Sequence, residues 1–149
     1  MGLKVSLDTN VFLAVKNKEP GFEFSKRIID SVEENTIEGI MSTIVLAEVL
    51  IGFYQNEENE EANKFSSKAL LNYDVISVNH DIAIEAAKIR ARYNIKLPDA
   101  IIAASTIYSG ADFLISHDKP LLKKLKIQNI TPKEFVENCL EDMKDRDEN

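Results

Sequence analysis

Five short aliphatic and β-branched segments alternate along this chain with longer stretches of helical periodicity. Strands spaced by helices pair in parallel within an α/β sheet. Residues 3–7 read as the first strand, closed by the turn and capping residues Asp8, Thr9 and Asn10. Residues 39–41, 74–78 and 113–116 read as three more, and 128–130 as an edge strand. Helices are expected at about 11–15 and 22–32, on either side of the Pro20-Gly21 break, then at 43–54 behind a Ser42 or Thr43 cap. The acidic turn 55–61 opens a helix ending near Leu71. Asn79 can cap a helix over 80–93 in which Ile82, Ala86, Ile89 and Tyr93 form one stripe, and Pro98 opens another that stops at Gly110. Short helices follow at 120–125 and from Pro132. The helix at 43–54 is apolar almost all round and is expected to be largely buried. The fold class is therefore α/β with a mainly parallel, four- to five-stranded sheet.

The 149 residues suffice for one well-filled core, and no linker or internal repeat divides them. A single domain over 1–149 is expected, with a solvated acidic tail at 141–149. Apolar residues at 44% and charged residues at 29% exclude disordered and low-complexity classes. No apolar run approaches the ~20 residues of a membrane span. Asp8 and Asn10 interrupt the N-terminal segment too early for a signal peptide. With Cys139 alone, neither an intrachain disulfide nor a cysteine-rich zinc site can form. A cytoplasmic protein without membrane association is expected. The net charge of −7 counts at first sight against a nucleic-acid partner. Four of those charges sit on Glu57, Glu58, Glu60 and Glu61 and three in the tail, which leaves a neutral body.

Four acids stand against apolar surroundings, where a carboxylate is costly unless paired or hydrogen-bonded. Asp8 closes one strand and Asp118 follows another; Glu48 is the only charge between Ser42 and Tyr54, and Asp99 the only one between Leu97 and Ser109. In a parallel sheet the strand C-termini share one side, where ligands bind. Asp8 and Asp118 belong there, and Asp99, in the first turn of a helix leaving that side, should face Asp118. Glu48 lies ~7–8 Å along its helix and can still reach the group. Four converging carboxylates without a cation would raise one another's pKa. Hard oxygen ligands of this kind suit Mg²⁺ or Mn²⁺, which can activate water for phosphodiester hydrolysis. No zinc-spaced His–Cys set, Gly-rich phosphate loop or Gly-x-Ser-x-Gly elbow competes. Each acid keeps a structural alternative: Asp8 and Asp118 as helix caps, Asp99 as a complement to the helix dipole, Glu48 as a buried partner of Arg90 or Arg92.

Around these acids the segments Leu7-Asp8-Thr9-Asn10-Val11, Ser42-Thr43-Ile44-Val45-Leu46-Ala47-Glu48-Val49, Leu97-Pro98-Asp99-Ala100-Ile101-Ile102-Ala103-Ala104 and Leu114-Ile115-Ser116-His117-Asp118-Lys119 occur in fixed order. In this order and at these separations the chain resembles PIN-domain ribonucleases over nearly its whole length. As a short stand-alone domain it is similar to the VapC-type toxins of toxin–antitoxin pairs. The resemblance implies a PIN-like three-layer α/β/α fold. It implies Asp8, Glu48, Asp99 and Asp118 as catalytic residues and ligands of Mg²⁺ or Mn²⁺, with Asn10 and Ser116 as supporting or substrate-contacting positions. It further implies endonucleolytic RNA cleavage leaving a 5′-phosphate and a 3′-hydroxyl, a homodimer, and a cognate antitoxin that blocks the acidic groove. Ser116 stands where the family usually has Thr, and Pro120 where toxins often carry a further acid. Asp112 precedes its strand and belongs to the opposite end of the sheet. The rival readings are a non-catalytic PIN-like scaffold that binds RNA or protein, and a PIN nuclease of RNA processing.

Basic residues flank the acids on both sides. Lys88, Arg90, Arg92 and Lys96 precede Asp99, and Lys119, Lys123, Lys124 and Lys126 follow Asp118. They can hold RNA phosphates or form ordinary solvated helix faces. His117 is expected at the surface or in contact with substrate, His80 at a helix N-terminus, and Cys139 partly buried in a helix. Phe12, Phe22, Phe24, Phe53 and Tyr54 read mostly as core.

Overall fold

The structure is a computed structural model of the chain and describes residues 2–141, so the acidic tail lies outside the described residues apart from Glu141. Strands β1 (Lys4–Leu7), β2 (Glu38–Ser42), β3 (Tyr73–Ile76), β4 (Phe113–Ile115) and β5 (Asn129–Ile130) form one sheet in the order β3-β2-β1-β4-β5. All four pairings are parallel. Between them run α1 (Thr9–Lys16), α2 (Phe22–Glu33), α3 (Thr43–Gln55), α4 (Asn59–Asn72), α5 (His80–Tyr93), α6 (Leu97–Ser109) and α7 (Lys119–Lys124); α8 (Pro132–Phe135) follows β5 and continues into a π turn, Val136–Leu140. Helices cover both sides of the sheet. Among the described residues no helix is long and apolar enough to cross a membrane.

Both faces of the central strands are covered, so these strands are buried beyond their first residues. Val5, Leu7, Ile40, Met41, Leu114 and Ile115 are inaccessible or nearly so. Even the polar member of β1, Ser6, is 1% exposed, its hydroxyl 2.8 Å from that of Thr106 on α6. Side-chain oxygens begin most helices: Asp8, Ser42, Asn79, Asp118 and Thr131 each accept from a backbone N–H of the first turn. Gly110, at φ 69°, closes α6 in the left-handed conformation that glycine adopts without strain.

Two expectations fail together. Only Val45 and Val49 of α3 are buried, while Ile51 and Tyr54 are about half exposed. A helix lying on a sheet buries one stripe, and the described residues supply no further layer over the outer face of α3. Tyr54 is accordingly surface, whereas Phe12 is core, in edge-on contact with Phe65 and Tyr73.

Packing is close where β2 meets β3. A Cβ on Gly39 would fall 2.6 Å from the ring of Tyr73 and 2.8 Å from Val32 of α2, so the strand tolerates no side chain there. Gly39→Ala is expected to destabilise the fold by about 1–3 kcal/mol through overpacking, read as a lower urea midpoint with an unchanged m-value.

Candidate active site

The strand order reverses its direction of growth between β1 and β4, so the crevice above their C-terminal ends is the topological switch point of the sheet. Leu7 lies beside Ile115 in the register, and the next residue, Asp8, donates its N–H to the Ile115 carbonyl at 3.0 Å. The chain then turns into α1 with the Asp8 carboxylate directed at its own helix start. Oδ1 accepts from the Thr9 N–H at 2.7 Å. Oδ2 accepts from the Ser116 hydroxyl at 2.7 Å and from Asn10 Nδ2 at 3.2 Å.

Ser116, wholly buried just beyond β4, uses its hydroxyl completely. It donates to Asp8 and accepts from Asn10 Nδ2 at 2.9 Å and from the Asp118 N–H at 3.0 Å. Asn10 completes the link by accepting the His117 N–H at 3.0 Å. Asp118 begins α7, its Oδ1 accepting from the Leu121 N–H at 3.1 Å. The capping roles open to Asp8 and Asp118 are thus real, and each leaves carboxylate acceptor capacity over. Glu48 is held by Thr9, whose hydroxyl donates to Oε1 at 2.7 Å. Among the described residues no ion pair joins Glu48 to Arg90 or Arg92. Asp99 lies in the first turn of α6 and shares a concavity of about 270 Å³ with Asp118, Lys96 and Lys124.

Asp8 and Asp99 sense the acids around them. Burial pushes the Asp8 carboxyl up to about 6, its bonds to Ser116 and Thr9 pull the other way, and the charges of Asp99 and Glu48 add to the rise. Burial also raises Asp99, followed by the charges of Asp118 and Glu48, while Lys96 opposes. Among the described residues none of the four is in an ion pair. The donor set is therefore hard, oxygen-only and short of positive charge, which fits Mg²⁺ or Mn²⁺. The side chains are not closed into a ligand cage, since among the described residues no group of three or more His, Cys, Asp or Glu meets metal-holding geometry. Mg²⁺ commonly keeps several waters and takes only one or two carboxylates, so an open set of this kind is compatible with it.

Two interactions were invisible in the sequence. Thr9, between Asp8 and Asn10, positions Glu48 across 39 residues of chain. His117 is half-buried, its Nε2 2.6 Å from the hydroxyl of Ser25, which is buried in α2, and burial lowers its pKa. Asp112 stands at the opposite sheet end, as expected, accepting from the Lys4 N–H at 2.8 Å. His80 opens α5, and Cys139 is partly buried in the π turn.

The raised pKa of Asp8 has a definite sign. The fold holds its proton more tightly than the unfolded chain, so its destabilising contribution is absent below about pH 4, grows up to about pH 6 and is complete above. In chelator, the wild type is expected to lose stability relative to Asp8→Asn between pH 5 and 7.5 by on the order of 1 kcal/mol. Urea midpoints of the two proteins at both pH values check this; parallel pH profiles would contradict it.

The family model of the PIN domain matches residues 5–127. No curated protein matches the sequence. Solved structures do. A toxin–antitoxin complex from Klebsiella pneumoniae aligns at 24% identity and TM-score 0.68, covering 86% of this chain and 97% of that one. VapBC2 from Rickettsia felis, bound to a DNA fragment from its promoter, aligns at 19% identity and TM-score 0.68 over 87% and 98%. VapC20 from Mycobacterium tuberculosis, described as a sarcin-ricin loop cleaving toxin, aligns at 17% and 0.65 over 80% and 93%. These likenesses carry the fold, and the match across residues 5–127 carries the family: the chain belongs to the PIN domain family.

Proposed function

We propose that this protein is a metal-dependent endoribonuclease and the toxin of a type II toxin–antitoxin pair. The observation that carries the reading is the convergence of Asp8, Glu48, Asp99 and Asp118 on the switch point, electrostatically coupled and, among the described residues, in no ion pair with a protein cation. Asp8, Asp99 and Asp118, with Glu48, would hold Mg²⁺ or Mn²⁺. The ion would supply charge neutralisation at the phosphoryl oxygens and a more acidic water.

The chain's own groups do the positioning. Ser116 and Asn10 keep the Asp8 carboxylate fixed and its lone pairs ordered. Thr9 does the same for Glu48. Lys96 and Lys124, beside Asp99 and Asp118, suit the phosphates flanking the cleaved bond. The products on this reading are a 5′-phosphate and a 3′-hydroxyl. The VapBC and toxin–antitoxin complexes among the structural neighbours favour a cognate antitoxin as partner. The exposed apolar residues Ile51 and Tyr54 of α3 are available to a homodimer. The reading takes 1–149 as a single cytoplasmic domain. The rival reading is a non-catalytic scaffold that binds RNA or protein.

Cleavage of a labelled RNA pool by the purified, partner-free protein separates the two. Cutting is expected with Mg²⁺ or Mn²⁺ and not with chelator, and Asp8→Asn or Asp118→Asn should each reduce it by more than about 100-fold with circular dichroism unchanged. Undiminished cutting by both variants would remove the assignment. Mg²⁺ or Mn²⁺ should also raise the Tm of the wild type at pH 7.5 and leave that of Asp8→Asn nearly unmoved. No metal-dependent shift and no cutting would favour the scaffold.

A further inference from the structure

We infer that a single-stranded stretch of RNA runs from the acidic centre along a basic groove between α5, α6 and the segment that follows α7, with Tyr93 stacking on one of its bases. This deepens the nuclease reading and rests on it. The groove is a concavity of about 860 Å³ lined by apolar residues such as Ile89, Ala103 and Ile107 and by Lys88, Arg92, Tyr93 and Lys126, with Glu85 as its one acid among the lining residues. It adjoins the concavity of Asp99 and Asp118, because consecutive residues line the two on both walls: Tyr93 then Asn94 on one side, Leu125 then Lys124 on the other. Five cations thus mark one path: Lys96 and Lys124 next to the acids, then Arg92, Lys126 and Lys88.

Eight basic residues flank the acids in sequence, and the fold sorts them. Arg90, Lys119 and Lys123 line neither concavity, whereas the other five line one or the other. Among the described residues none of those five is in an ion pair, although the chain carries seven more acids than bases. Unpaired cations in a concave surface, on a protein of net negative charge, are arranged for an external polyanion. Lys88 and Arg92 are one helical turn apart on α5, about 6 Å along its axis, and Glu85, Lys88 and Arg92 share one face.

The ring in the groove decides between strand types. Tyr93 is partly buried against the core at the junction of the two concavities. A duplex hides its base faces within the stack, while a single strand offers them to an aromatic ring between phosphate contacts. The left-handed turn at Asn94, φ 54°, directs the chain from α5 toward α6 and so brings Tyr93 and Lys96 to the same rim.

The test is equilibrium binding of a fluorescent single-stranded RNA of about twelve nucleotides to the Asp8→Asn protein in Mg²⁺, followed by anisotropy over a salt series. Adding Lys88→Gln, Arg92→Gln and Lys126→Gln together should weaken binding at least 10-fold and reduce the slope of log K against log salt by about 2, at ~0.7 for each phosphate contact. Tyr93→Ala should cost about 10-fold and Tyr93→Phe much less, since stacking needs the ring and not the hydroxyl. The same charge change at exposed Lys18, Arg27 and Lys64 should have little effect. Equal weakening by both triple sets, or none by the groove set, overturns the proposal, as does a loss confined to duplex RNA. Cleavage by the wild type is scored separately, so cutting without groove-dependent binding refutes the groove alone, and groove-dependent binding without cutting refutes the nuclease reading alone. Absence of any RNA binding refutes both.

Discussion

A buried carboxylate joins the two central strands of this protein. Asp8 follows β1, Ser116 follows β4, and the 2.7 Å bond between them, braced by Asn10, joins the two strand ends at the point where the sheet changes its direction of growth. At 5% exposure a carboxylate can persist only if its lone pairs are used, and three donors use them here. Those bonds fix where α1 starts, where the chain after β4 turns, and hence where Asp118 begins α7. Three of the four candidate acids, Asp8, Asp99 and Asp118, thus stand at helix starts.

The arrangement divides labour between neutral and charged groups. Ser116, Asn10 and Thr9 carry no charge, yet they orient Asp8 and Glu48 and add nothing to the repulsion among the acids. The acids are left near one another in no ion pair with a protein cation among the described residues. Burial then raises Asp8 and Asp99, a cost in the isolated fold that a bound cation would offset. Lys96, exposed in the same concavity, opposes the rise of Asp99.

Most elements were legible because their signals are local. The helix over 80–93 lies where a capping Asn and an apolar stripe put it, and Gly110 ends α6 where only a residue tolerant of positive φ can. The edge position of β5 was likewise readable from a short segment beyond the last acid. The burial of α3 was not. Its apolar residues encircle the helix, and composition cannot say whether a second layer covers the outer side; in this structure none of the described residues does, and Ile51 and Tyr54 remain open. The contact of His117 with Ser25 was out of reach for a related reason, because the two lie 92 residues apart on different elements.

By itself, the sequence determined the α/β class, the strand and helix order, and the four candidate acids, three of them at strand ends or helix starts and Glu48 inside its helix. Those follow from periodicity, capping chemistry and the cost of a charge in an apolar segment, all readable within a few residues. Tertiary structure alone decided which neutral side chains hold the acids, since the Thr9–Glu48 and Ser116–Asp8 bonds close over 39 and 108 residues. It also decided which of eight flanking cations share a groove, because that depends on how α5 and the segment after α7 face each other across α6. Spacing along one helix can place residues on a common face, but only packing between elements determines what that face meets.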